Sequence, residues 1–324
     1  MIDNNLTERI EAIAEAYEDI RMTAQQVVVG NLHLIEGIFI TMISGGHLLI
    51  EGVPGTAKTT ACKIIAHLID YDFRRVQGAV DIQPADIIGV RIYDRSRSEF
   101  VLQKGPVFTN FLMIDEMNRL TPKTQSALLE AMSERQATID GKTHPLPDPY
   151  FVIATQNPHE AEGTFPLIEA QCDRFMFSTT LDHLDAENEL EILRRERAGE
   201  LNWSIYQNRI APILSPEKVG AMAATAREVR VDETVMTYIR DLVLATRAHG
   251  DIRLGASSRA SIAFLRGSRA RAALNGRDYV VPDDVRALAR PVLRHRLLLT
   301  REAAITGVTP ETVIAEIVES VEVS

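Results

Sequence analysis

The chain has 324 residues, 45% hydrophobic and 25% charged, with 35 basic against 45 acidic side chains and a formal charge of −10 at pH 7. That length suggests about two domains and a core large enough to need no disulfides. Two cysteines, Cys62 and Cys172, exclude a disulfide framework and a four-thiolate zinc site, and the acidic balance counts against a nucleic-acid-coating protein.

Residues 1–21 are acidic and amphipathic, without the basic start and apolar run of a signal peptide. Residues 6–17 have helical periodicity, with Ile10, Ile13, Ala14 and Tyr17 on one face. A second helix is expected over 31–44. Residues 47–51 (HLLIE) read as a buried parallel strand and 58–69 as the helix after it. The apolar stretch 37–50 is interrupted by Gly45, Gly46 and His47, too short to span a membrane. Residues 87–103 alternate around Asp94-Arg95-Ser96, which predicts a hairpin. Residues 111–114 (FLMI) and 150–154 (YFVIA) are two more buried strands. Between them lie a helix over 121–134, opened by Thr-Pro, and a hairpin over 136–149 around Asp140-Gly141. Alternating strands and helices predict an α/β domain with a parallel sheet. From about residue 185 the texture becomes helical: 187–197, 216–228, 232–249, 258–274 and 282–290, with no comparable strand signal. The tail beyond Arg301 reads as a solvated amphipathic helix with Val313, Ile317 and Val321 inward. The expected division is residues 1–183, α/β, and 184–324, a small all-α domain.

The chemistry concentrates at Gly52-Val53-Pro54-Gly55-Thr56-Ala57-Lys58-Thr59, between a predicted strand and a predicted helix. This is the context of a phosphate-binding P-loop. Glycines let backbone N–H groups turn toward phosphate oxygens, and the helix presents its positive end. Lys58 is placed to bridge the β and γ phosphates of a nucleotide, and Thr59 to hold Mg²⁺. Ala57 stands where the strict pattern has glycine. The strand at 111–114 runs into Asp115-Glu116, a metal-shell carboxylate and a base for an attacking water. Ala154-Thr155-Gln156-Asn157-Pro158 ends the next strand, where the Asn157 amide can orient that water. Arg174, in Gln171-Cys172-Asp173-Arg174-Phe175, lies at a helix end, and Arg259, in Gly255-Ala256-Ser257-Ser258-Arg259, at a helix start. Ten arginines between 253 and 296 face three acidic residues, which reads first as a solvated helical surface with ordinary ion pairs.

Together these motifs resemble the AAA+ ATPases, and most closely the MoxR family, from about residue 25 to the end. The resemblance is densest over 115–175. It is carried by Asp115-Glu116-Met117-Asn118-Arg119, Pro122-Lys123-Thr124-Gln125-Ser126-Ala127-Leu128-Leu129-Glu130-Ala131-Met132, Glu134-Arg135-Gln136-Ala137-Thr138-Ile139-Asp140-Gly141, Ala154-Thr155-Gln156-Asn157-Pro158, Glu162-Gly163-Thr164-Phe165-Pro166 and Glu169-Ala170-Gln171. The chain departs from the family at Ile168, often Pro; at Cys172, usually branched and apolar; and at Ser258, usually Pro.

The resemblance implies roles by position. Gly52, Pro54, Gly55, Thr56, Ala57, Lys58, Thr59 and Thr60 form Walker A, and Asp115 and Glu116 Walker B. Asn157 matches sensor one. Arg174 matches the arginine finger that reaches a neighbouring subunit's nucleotide, with Arg119 a second candidate, and Arg259 matches the sensor-two arginine. Val29 and Gly30 match the segment beside adenine. The resemblance further implies ATP and Mg²⁺ as ligands, a homo-oligomeric ring, usually a hexamer, in the cytoplasm, and chaperone-like remodelling of a client protein, often one with a von Willebrand factor A domain. Alternatives are a nucleotide switch or scaffold with little turnover, a chelatase-type ATPase subunit, or a nucleic-acid-stimulated motor.

Overall fold

The structure, a computed structural model, describes residues 4–53, 55–157 and 163–323. Helices α1 (Asn4–Gln25) and α2 (Leu32–Ile43) lead into β1 (Leu48–Gly52), α3 (Lys58–Leu68) and β2 (Phe73–Gln77). A short α4 (Pro84–Ile88) precedes the hairpin β3 (Gly89–Asp94) and β4 (Glu99–Lys104). Then come β5 (Phe111–Asp115), α5 (Pro122–Glu134), the hairpin β6 (Gln136–Ile139) and β7 (Lys142–Pro145), β8 (Phe151–Gln156), α6 (Glu169–Cys172) and β9 (Phe177–Leu181). The remainder is α7 (Ala186–Arg197), α8 (Trp203–Arg209), α9 (Pro216–Glu228), α10 (Glu233–Ala248), β10 (Ile252–Leu254), α11 (Ser258–Leu274), α12 (Pro282–Leu293), β11 (Leu298–Leu299), α13 (Arg301–Ile305) and α14 (Pro310–Ser320).

A five-stranded parallel sheet, in the order β2-β5-β8-β1-β9, organises the first part of the chain. Successive strand residues point to opposite faces. Leu48, Ile50, Phe111, Met113, Phe151 and Ile153 therefore enter one core with α2 and α3, whereas Leu49, Leu112, Ile114, Val152 and Ala154 enter a second core with α5.

Five strands form where three were expected. The two additional ones, β2 and β9, are the sheet edges. Their sequences, FRRVQ and FSTTL, carry polar or charged residues at central positions, so neither has the apolar run of a central strand. The helical part also contains a short antiparallel pair, β10 with β11, where no strand was expected.

The later helices open on side chains that accept a first-turn N–H: Asp185, Ser215, Asp232, Ser257 and Thr309. Helix α11 is buried along Ala260, Ala263, Phe264, Gly267, Ser268 and Ala270. Apart from Phe264 these residues are small and let neighbours come close: a Cβ at Gly267 would strike the Phe177 ring and Leu288. Helix α1 packs on α9 and α11 as well as on α2, so one apolar core runs from Ile10 and Ile13 through the sheet face to Val313 and Ile317.

Candidate functional site

Strand β1 ends at Gly52, and the chain turns into α3 through Gly55 (φ 86°) and Ala57 (φ 58°). Both are in the left-handed region. Gly55 takes it freely, while Ala57 does so at a cost of roughly 1–2 kcal/mol. Helix α3 begins without a side-chain cap, so its first N–H groups are left for a ligand. Lys58 Nζ folds back on the carbonyls of Gly52 (2.7 Å) and Val53 (3.0 Å). Partial burial holds its pKa below the usual lysine value, with Asp115 and Glu116 pulling the other way. Thr56 Oγ1 donates to the Val53 carbonyl. Pro54 lies outside the described residues.

The turn opens on a cavity of about 280 Å³. Gly55, Ala57, Thr59 and Thr60 line its polar side; Val27, Val29, Ile192, Leu201, Trp203 and Tyr206 line the other. Val29 reaches the cavity. Gly30 (φ 67°) instead lets the α1–α2 turn approach Leu184, which a Cβ there would strike.

At the tip of β5, Asp115 receives Thr155 Oγ1 on Oδ1 and Arg75 on Oδ2, both at 2.6 Å. The same Thr155 oxygen accepts the Glu116 N–H at 2.9 Å, so one hydroxyl ties both carboxylate residues to β8. Glu116 is left-handed (φ 56°), and Arg119 Nε lies 3.0 Å from its Oε2. Gly78 packs so tightly that a Cβ would overlap the Glu116 carbonyl oxygen. Asn157 follows β8, which lies between β5 and β1, and its carbonyl accepts from Asn118 Nδ2 at 3.4 Å. Beside it, Gln156 bonds Glu51, which also pairs with Arg294 from the helical part.

Thr59 and Asp115 offer a hydroxyl and a carboxylate, the hard oxygen donors that Mg²⁺ takes. Among the described residues no cluster of three or more His, Cys, Asp or Glu could hold a metal alone. The donor set thus fits an ion that completes its shell with water and phosphate oxygens.

Neither Arg174 nor Arg259 is at this end of the sheet. Both line a second cavity, of about 340 Å³, with Gly45, Gly46 and His47 at the start of β1. Five rises of about 3.3 Å from His47 put it roughly 17 Å from Gly52. Arg174 donates to the Leu129 carbonyl and to Ser133 Oγ, both at 3.0 Å. Arg259 pairs with Asp173 at 3.3 Å, and Asp173 also receives Ser257 (2.9 Å) and Arg296 (2.8 Å).

Sequence reading missed Arg75, which holds Asp115 from an edge strand, and the Ile192, Leu201, Trp203 and Tyr206 wall. One signal was available: Trp203 is the chain's single tryptophan. The arginine-rich stretch is largely paired, with Arg271, Arg277, Arg286, Arg294 and Arg296 each on a carboxylate.

Residues 47–177 match the family model of ATPases associated with various cellular activities (AAA), and residues 244–317 the AAA lid domain. The chain is 40% identical to YeaC of Bacillus subtilis (strain 168) over 299 residues, covering 92% of each protein. It is 40% identical over 306 residues to the protein named Chaperone MoxR1 of Mycobacterium tuberculosis, covering 92% of this chain and 79% of that one. A crystal structure from Cytophaga hutchinsonii superposes with a TM-score of 0.90 at 40% identity, over 98% of this chain and 97% of that one. With a parallel sheet carrying a phosphate-type turn, followed by a matched lid, the chain belongs to the MoxR family of AAA+ ATPases.

Proposed function

We propose that the protein hydrolyses ATP with Mg²⁺ at the interfaces of a homo-oligomeric ring, a hexamer in the family's usual form, and uses the cycle to remodel a client protein. The observation that carries this reading is the meeting of Lys58, Asp115, Glu116 and Asn157 at one edge of three neighbouring strands, beside a cavity with one polar and one apolar side.

Each residue then has a task. The apolar wall takes adenine. Backbone N–H groups of the turn and Lys58 hold the phosphates. Thr59 and Asp115 would hold Mg²⁺, which neutralises charge on the phosphate oxygens. Asn157 orients a water. Glu116 takes a proton from that water as its oxygen bonds to the γ-phosphorus and the bond to ADP breaks.

Arg174 and Arg259 lie too far from their own chain's turn to reach its γ-phosphate, which supports completion of each site by a neighbour. The continuous core between lid and sheet, and the Arg294–Glu51 pair, give a path from the site to the lid. The hairpins β3–β4 and β6–β7 would carry that motion to a client, one with a von Willebrand factor A domain in this reading. Two free cysteines fit a reducing cytoplasm.

The test is Glu116→Gln. It should bind ATP with unchanged affinity while turnover falls by about 10²–10⁴. An unchanged rate would remove Glu116 from its role. The same variant, held with ATP, should retain client in a pull-down. A second reading, a switch with slow turnover, is favoured by the Glu116–Arg119 pair, which occupies the base.

A further inference from the structure

We infer that Arg266 is a further phosphate-contacting arginine of the composite site, acting beside Arg174 and Arg259 on the triphosphate held by a neighbouring subunit. This rests on the interface reading above and adds to it a residue that no motif marks.

Arg259, Ile262, Ala263 and Arg266 are spaced i, i+3, i+4, i+7 on α11, so they share one face, and all four line the 340 Å³ cavity. The two arginines stand about 10 Å apart along the helix axis. Arg174 approaches from across the cavity, fixed by Leu129 and Ser133.

The charges in this cavity do not balance. Its lining includes Arg135, Arg174, Arg259, Arg266 and Arg296 against a single carboxylate, Asp173. Asp173 already receives Arg296 and Arg259. Arg135 has Asp148 outside the cavity, at 3.3 Å. Among the described residues nothing accepts from the Arg266 guanidinium, whereas most other arginines of the helical part meet a carboxylate. Several cations within about a Debye length repel one another. A chain of net charge −10 that gathers them in one hollow is built for a multivalent anion there. Guanidinium groups suit phosphate because they donate two parallel N–H bonds.

Two measurements test this on the full chain. The first is binding of inorganic tripolyphosphate to the Lys58→Ala chain, whose own turn is disabled. Arg266→Ala added to it should weaken binding about ten- to hundredfold. Unchanged affinity would overturn the inference. The second is subunit mixing. Arg266→Ala should lower ATPase activity of the assembled protein by a similar factor. Mixing with Lys58→Ala subunits should restore part of it, because wherever a Lys58→Ala subunit presents its arginines to the turn of an Arg266→Ala subunit, that interface has one intact turn and one intact arginine set.

A parallel mixture of Arg174→Ala with Lys58→Ala separates the two levels. If it recovers and the Arg266 mixture does not, Arg266 acts only within its own chain and the inference fails. If neither recovers, the interface reading itself fails. Arg266 is exposed, and an unchanged melting temperature for Arg266→Ala and Arg266→Gln would show that lost activity is not lost folding.

Discussion

Glu116 and Arg119 face each other across one turn, with the guanidinium Nε 3.0 Å from a carboxylate oxygen that is expected to serve as a base. The Arg119 side chain is 38% exposed and the Glu116 side chain 29%, and pairs this wet contribute about 0–1 kcal/mol. The contact is thus a restraint that is easily released. Arg119→Ala should change turnover only severalfold, whereas Arg174→Ala should lower it by about 10³–10⁵. Steady-state ATPase assays on both variants check this. Equal losses would give Arg119 the neighbour-reaching role instead.

Trp203 lines the apolar side of the 280 Å³ cavity beside the turn and is the single tryptophan, so its emission reports that cavity without a label. Adding ADP with Mg²⁺ should shift or quench it, and the change should vanish in Lys58→Ala. Trp203→Ala should weaken ATP by about 1–3 kcal/mol, the usual range for an aromatic under a base, measured by calorimetry. An emission unmoved by saturating nucleotide would place adenine elsewhere.

His47, at the foot of β1, is buried between two backbone partners. Its Nδ1 accepts the Val152 N–H at 3.1 Å, so Nε2 carries the proton and donates to the Met132 carbonyl at 3.1 Å. Burial pushes its pKa down from 6.5 to about 4, and burial pushes His295 well below the ordinary value too. A depressed histidine is neutral when folded, while the unfolded chain takes up protons below about pH 6.5. Stability is therefore fully present above that pH and is lost as pH falls toward 4, by about 3 kcal/mol for His47 at about 1.4 kcal/mol per unit. Denaturant melts between pH 7.5 and pH 4.5 should show the slope, and His47→Gln should flatten it while lowering stability at neutral pH.

Asp173 joins the lid to the turn that bears Arg174. It receives Arg296, whose side chain is 2% exposed and which also donates to the carbonyls of Phe175 (2.7 Å) and Met176 (3.1 Å). Asp173→Asn would leave that buried guanidinium without its counter-charge, a loss of about 3–5 kcal/mol. Thermal unfolding should show it as a clear drop in Tm, and a wild-type Tm would mean that the two carbonyls alone suffice.

The central strands were readable because they are buried on both faces and so open on unbroken apolar runs, LLI in LLIEG, FLMI in FLMID and FVIA in FVIATQ. The edges β2 and β9 were not, since a strand with one neighbour keeps polar side chains and its identity comes from pairing. The same holds within the site. Lys58, Thr59, Asp115, Glu116 and Asn157 could be proposed from sequence because each sits at a set offset from the end of a strand, a local feature. Arg75 was invisible, because its value lies in a register that sets β2 beside β5.

Order along the chain thus suffices for the phosphate turn, the carboxylate pair and the helical second half, since glycine conformational freedom, strand burial and helix periodicity act over a few residues. Folding in three dimensions alone decides that α8 closes the apolar side of the cavity beside the turn with Trp203 and Tyr206, that Asp173 gathers lid residues from 84 and 123 positions away, and that Arg174, Arg259 and Arg266 collect at the end of the sheet opposite the turn. These contacts follow from how helices stack on a twisted sheet and from charge pairing between distant segments, and neither is written in any short stretch of residues.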